Sequence, residues 1–127
     1  MVKVLLVGAG GFLGAVSRYL VSGFVQNLSQ SINFPYGTLT VNIVGCFFLG
    51  LLSHLAELNM GVTAEVRLLI MIGFLGSFTT YSTFCNETMN LMQDQRFYLA
   101  LINVGVHLFL GLSAVLIGRF VVTMLWR

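Results

Sequence analysis

Acidic residues are scarce in this chain: four in 127 residues, with none before Glu57. That scarcity disposes of the most familiar reading of the first segment, KVLLVGAGGFLGAVSRY, whose glycines at 8, 11 and 14 imitate a dinucleotide-binding start. Such a fold wants an acid about 20 positions further on for the ribose, within alternating strands and helices. Proline occurs once, at Pro35, so long helices are free to run unbroken elsewhere. Charged residues make up 8% of the chain, too few to coat a water-soluble domain of this size. No basic run exists to track a phosphate backbone, and the net charge of +2 gives no reason to expect a nucleic-acid partner. The two cysteines, Cys46 and Cys85, both fall inside apolar runs, where they read as packing residues rather than a disulfide or metal pair.

What is present is apolar. Hydrophobic residues reach 57% and the mean hydropathy is +0.95, values of an integral membrane protein. A spanning helix needs roughly 20 mainly apolar residues, and four such runs cover residues 4–24, 36–56, 68–92 and 97–124, which predicts one four-helix transmembrane domain over residues 1–127. Between them lie QNLSQSIN before Pro35, the stretch Glu57 to Glu65, and Gln93 to Arg96, all short and polar. The first run carries an early lysine but no A-x-A site, and it exceeds a usual signal-peptide core, so it reads as a retained span. An even number of spans puts both termini and the middle loop on one side, with Lys3, Arg67 and Arg127 there against Arg96 opposite, a three-to-one bias in positive charge. Gly10 and Gly14 form a small-xxx-small face for close helix approach, and Gly45, Gly111 and Gly118 can serve the same end.

The most informative segment is GFLGSFTTYSTF, residues 73 to 84, within an uncharged run from Leu68 to Asn86. It crowds Ser77, Thr79, Thr80, Ser82 and Thr83 between glycines and aromatics. Backbone leaves helical geometry at membrane depth only where protein buries it or a cavity adjoins it, so this stretch predicts a broken helix beside an ion or substrate site. Other polar residues sit at depth. Asn42 reads either as a helix-to-helix hydrogen bond or as a pore-lining amide. Asn103 and His107 are four apart and share a helix face, with Ser113 further along. Glu87 at the edge of the hydroxyl-rich run and Arg18 near the end of the first span each face a choice between an aqueous vestibule and the lipid interface. Phe78, Tyr81 and Phe84 could offer ring edges to an anion or faces to a cation.

Three blocks, GAGGFLGAVSRY, GTLTVNIVGCFFLG and GFLGSFTTYSTF, together resemble the signature blocks of the Fluc (CrcB) fluoride channels in order and spacing along almost the whole chain. The resemblance implies an all-α membrane protein of four transmembrane helices per subunit, the third broken near 76–80. It implies an antiparallel, dual-topology homodimer in the bacterial plasma (inner) membrane that passes fluoride out of the cytoplasm passively. It further implies a structural, untransported sodium ion at the dimer interface, held by the backbone carbonyls of Gly76 and Thr79. Carried over residue by residue, the ring pair of the pore falls on Tyr81 and Phe84, and the polar track on Ser82, Thr83 and Ser113. The second-span asparagine is Asn42, the arginine of the first block is Arg18, and His107 stands where a further polar donor is expected. Tyr81 departs from the family pattern, which has phenylalanine there.

The expected partners are therefore fluoride, a second copy of the chain and membrane lipid, and no catalytic chemistry is expected. The main rival is a small proton-coupled multidrug exporter, which shares length, four spans and dual topology. That rival requires a carboxylate inside its first span, where this chain has none, so Glu87 would have to substitute. A non-transporting structural or assembly protein is the third reading.

Overall fold

The computed structural model describes residues 1–126; Arg127, counted above in the charge balance, lies outside them. Four helical stretches are long and apolar enough to cross a membrane: Val2–Ser29, Tyr36–Glu57, Ala64–Gln93 and Phe97–Leu125. We label the first two α1 and α2 and the last α6. The third is a composite of α3 (Ala64–Val66), a π-helix (Arg67–Leu75), α4 (Gly76–Phe78) and α5 (Tyr81–Gln93). No strand occurs among the described residues.

Helix ends follow local chemistry. α1 runs past the expected 4–24 to Ser29, because Gln26 folds back over the following turn. Its Nε2 donates to the carbonyls of Ser31 (2.6 Å) and Phe34 (3.1 Å), while its Oε1 accepts from the Gly37 N–H at 3.0 Å. One side chain thus satisfies three backbone groups where α1 stops and α2 starts, and Gln30 closes α1 in left-handed conformation. Pro35 precedes α2, where its missing N–H costs no helical bond. At the far side of α2, Asn59 and Gly61 take positive φ to turn the chain, and the Thr63 hydroxyl caps α3 by accepting from Val66 N–H.

The helices pack as two parallel pairs. α1 lies along the π-helix and α4, with Gly10 against Leu69 and Phe74 and Gly14 against Phe74 and Ser77. α2 lies along α6, with Gly50 against Val115 and Gly118 against Phe47 and Leu51. Any Cβ at Gly10, Gly14, Gly50 or Gly118 would run into backbone of the facing helix. These glycines therefore set the interhelix spacing, as small residues do in lipid where no hydrophobic force draws helices together. Polar contacts tie the ends. Arg96 donates to Asn33 at one end, and at the other Arg119 pairs with Glu57 (3.0 and 2.7 Å) beside His54 and Thr123. The start of α1, the end of α6 and the 58–63 loop consequently share one end of the bundle.

The interior is slight. Among the described residues only Val41, Val122 and Asn103 are essentially sealed from outside, while Phe12, Tyr19, Phe24, Phe109 and Leu116 stand mostly exposed on the helix faces. Such surface belongs against lipid tails or other apolar protein.

Replacing Gly118 by alanine should destabilise the folded protein by about 1–3 kcal/mol, because its Cβ meets Phe47 and Leu51 backbone. Gly105→Ala, with open space around the position, should not. A thermal melt of the detergent-solubilised variants checks this, and equal melting temperatures would discount the packing argument.

Candidate functional site

The site is built on two residues that leave helical geometry. Thr79 (φ −85, ψ 155) and Thr80 (φ −148, ψ 109) are extended between α4 and α5. Inside a bilayer each backbone group set free in this way must find a partner in the protein. Asn42 of α2 supplies two: its Oδ1 accepts from the Thr80 N–H at 2.7 Å and its Nδ2 donates to the Thr80 carbonyl at 3.1 Å. Thr80 then starts the next helix. Its hydroxyl accepts from the Thr83 N–H at 3.3 Å and donates to Thr83 Oγ1 at 2.8 Å. Of the two readings open for Asn42, the interhelical hydrogen bond is present, and the amide also borders the cavity described next.

The same diversion frees acceptors. In an unbroken α-helix the Gly76 carbonyl would accept from Thr80 N–H and the Thr79 carbonyl from Thr83 N–H, four residues on in each case. Those donors are engaged by Asn42 Oδ1 and Thr80 Oγ1 instead. The Gly76 and Thr79 carbonyls thereby lose these helical donors, and both residues border one cavity.

That cavity, of about 510 Å³, lies between α2, the third span and α6 and has a mostly apolar wall. Asn42, Gly76, Thr79, Thr80, Tyr81, Phe84 and His107 line it, together with Cys46 and Met71. Three rings run in series along it: Tyr81 and Phe84 are 5.7 Å apart between centroids, and Phe84 and His107 are 4.4 Å apart. Tyr81 stands 79% exposed, held out from the chain's own packing. A hydrogen-bonded chain fixes the far end. Thr88 Oγ1 donates to the Phe84 carbonyl at 2.8 Å, Asn103 Nδ2 donates to Thr88 Oγ1 at 2.9 Å, and His107 Nδ1 lies 2.9 Å from the Asn103 carbonyl.

A second cavity, of about 410 Å³, opens toward the loop end that holds Asn33 and Arg96. Thr83 and Glu87 border it, with Thr38, Gln26, Asp94 and Arg96. Glu87 Oε1 accepts from Thr38 Oγ1 at 2.6 Å, while Oε2 is covered and without a partner among the described residues. The residues singled out in the sequence therefore divide. Asn42, Gly76, Thr79, Tyr81, Phe84 and His107 gather at the first cavity, and Thr83 and Glu87 at the second. Ser82, Ser113 and Arg18 line neither; Ser82 and Ser113 lie on exposed helix faces and Arg18 is half-buried on α1.

Sequence reasoning passed over several residues that position these groups. Thr80 was grouped with the other hydroxyls, though its place three before Thr83 is a helix-start signal. Ser77 joins α1 to the third span, its hydroxyl lying 2.9 Å from the Gly11 carbonyl. Thr38 and Thr88 anchor Glu87 and Asn103. Nothing local in sequence marks these last three, since each partner lies on another helix or turn.

Comparison with known proteins gives a consistent picture. A family model described as CrcB-like protein, Camphor Resistance (CrcB), matches residues 5–119. The fluoride-specific ion channel FluC 1 of Methanosarcina acetivorans is 45% identical over 119 residues, covering 94% of this chain and 89% of the relative. The fluoride-specific ion channel FluC of Maridesulfovibrio salexigens is 40% identical over 127 residues, with 97% and 100% covered. A protein of the same name from Shewanella sp. is 44% identical over 119 residues, 94% of each chain.

Asn42→Ala should leave the Thr80 N–H and carbonyl without their partners at membrane depth, at a cost of about 1–3 kcal/mol for each buried group left unpaired. Amide exchange at Thr80, followed by NMR in detergent, should accelerate in the variant. An unchanged exchange rate would mean that Asn42 does not hold the interruption closed.

Proposed function

This chain belongs to the CrcB family, and from that premise we propose that it is a fluoride-selective ion channel through which cytoplasmic fluoride leaves the cell passively. The observation that carries the reading is identity of 40–45% along nearly the whole chain to proteins named fluoride-specific ion channels. The cavity beside the interrupted third span is where the chemistry fits. A small anion enters low dielectric only if its hydration is replaced, since the bare ion otherwise costs tens of kcal/mol. The Asn42 amide spends one N–H on Thr80 and keeps a second for an anion while its orientation stays locked. Tyr81 and Phe84 have ring edges of positive character to offer. Ser82, Thr83 and Ser113 add hydroxyls along the helices on either side. Arg18 and Glu87 we assign to the aqueous approach, Glu87 at the second cavity.

We further propose that two chains associate as an antiparallel, dual-topology homodimer in the bacterial inner membrane, with lipid over the remaining apolar faces. Support comes from the exposed aromatic and aliphatic faces, from the slight interior of the single chain and from Tyr81 standing outside its own packing. A structural sodium ion at the interface belongs to the same proposal. Gly76 and Thr79 would hold it through the two carbonyls that lose their helical donors, a donor set suited to a hard cation and doubled to four by a two-fold axis. Bound there, sodium would supply positive charge that pins the two interrupted helices together.

Liposomes containing the purified chain, with potassium free to balance charge, should release fluoride rapidly and retain chloride. Phe84→Ile should cut fluoride release about tenfold or more, equivalent to roughly 1.4 kcal/mol or more in barrier height, while the dimer survives size-exclusion chromatography. Tyr81→Phe should remain conductive. Failure of the folded chain to release fluoride above protein-free liposomes would overturn the channel reading.

A further inference from the structure

Arg96 stands at a corner fixed on both sides. Its N–H donates to the Leu91 carbonyl at 2.8 Å, and Gln95, in left-handed conformation, donates to the Met92 carbonyl at 3.0 Å. This pair of bonds closes the C-terminus of α5. The Arg96 carbonyl then accepts from the Ala100 N–H at 3.1 Å as α6 begins. Its guanidinium reaches across to the side-chain oxygen of Asn33, in the connection between α1 and α2. Backbone and side chain together hold one positive charge in an exposed turn at the edge of the second cavity, which both Arg96 and Asn33 line.

The partner of that charge is neutral. At the opposite end of the bundle Arg119 spends its guanidinium on the Glu57 carboxylate, at 3.0 and 2.7 Å. Arg96 donates to an amide instead, and among the described residues it forms no ion pair with a carboxylate. An amide oxygen orients a guanidinium without cancelling its charge. Two acids line the same cavity: Glu87, turned to Thr38, and Asp94 at the end of α5. An anion arriving there meets two like charges, and its entry depends on the one that attracts it.

No other strong cation competes for this role. Arg96 is the only lysine or arginine among the residues that line either cavity. Arg18 is half-buried on α1 and lines neither. Lys3 and Arg67 belong to the end that holds the 58–63 loop.

We propose that Arg96 is a positioning residue for fluoride: tethered by Asn33 at the mouth of the second cavity, it concentrates the anion there against Glu87 and Asp94. This inference rests on the fluoride-channel reading, with the second cavity as an aqueous approach. A fixed charge at a mouth acts on entry, so its effect is largest at low ionic strength and fades as salt screens it. A residue that merely held two loops together would act equally at every salt concentration.

The test is the initial rate of fluoride efflux from liposomes, with protein-free liposomes subtracted. It is measured at about 10 mM ionic strength, where the screening length is about 30 Å, and again with potassium gluconate on both sides to about 1 M, where it is about 3 Å. At low ionic strength Arg96→Gln should release fluoride about threefold more slowly than the unmodified chain, the effect of one unit charge acting through water over several ångströms. At high ionic strength the two rates should converge. Arg96→Lys should keep most of the rate, Asp94→Asn should exceed it, and Arg96→Gln combined with Asp94→Asn should return toward it. Asn33→Asp, which sets a carboxylate against the guanidinium and leaves the arginine in place, should slow release at low ionic strength only. An Arg96→Gln rate equal to that of the unmodified chain at low ionic strength would overturn the inference, as would a deficit undiminished by salt. Both outcomes leave the channel reading standing, because fluoride still passes. No release by the unmodified chain at either ionic strength would sink the channel reading itself. Should Arg96→Gln fail to fold, Asn33→Asp decides in its place, and a rate unchanged at low ionic strength would overturn the inference.

Discussion

Everything distinctive in this molecule follows from one demand of the bilayer: a backbone group that leaves its helix must be answered by another protein group, because no water is at hand. Thr79 and Thr80 make that demand, and Asn42 answers it by meeting the Thr80 peptide on both sides. The amide stands in for a length of helix. It lets the third span change conformation at membrane depth without leaving the Thr80 peptide bare, and it places a locked polar side chain beside the cavity that the interruption opens. The Thr80 hydroxyl completes the repair by starting α5, so that two side chains allow one helix to end and another to begin.

The repair works only if α2 stands close to the third span, and glycine provides the closeness. Gly45 abuts the Thr79 side chain, and a Cβ there would collide with the Thr79 methyl group. Gly10 and Gly14 draw α1 onto the backbone of the π-helix and α4, while Gly50 and Gly118 do the same between α2 and α6. Ser77 then bonds across the first of these seams to the Gly11 carbonyl. Small residues bring backbones near, and hydroxyls and amides use that nearness for directional bonds. The large apolar side chains point mainly outward, the reverse of a water-soluble protein.

The cavity beside the interruption has a largely apolar wall, with polarity concentrated at a few oriented groups. Orientation matters more than number. The Asn42 amide and the His107 ring are each held in one sense by backbone groups that only donate or only accept, so their orientation is fixed in advance. Groups held in this way need no reorganisation to meet a ligand.

Composition and pattern alone determined that this is a four-span membrane protein, that the hydroxyl-rich run in the third span is its unusual segment, and that Asn42, Asn103 and His107 are polar residues at membrane depth. Those properties are local: apolar run length, glycine spacing and helical periodicity are written in neighbouring residues. The family likeness was legible for the same reason, since its three blocks are short and contiguous. Only the tertiary structure decided what the polar residues do. Asn42 could have been glue or lining until its amide was seen to meet a peptide 38 residues away. The sequence assigned pore, vestibule and ion-binding roles, and the structure divides those residues between two cavities, with Ser82, Ser113 and Arg18 at neither, because the direction of a side chain depends on how its helix is rotated against the others. The protonated nitrogen of His107 was equally invisible in sequence, for a tautomer is chosen by the acceptor a ring meets, and that meeting depends on the turn and rotation of the folded helix.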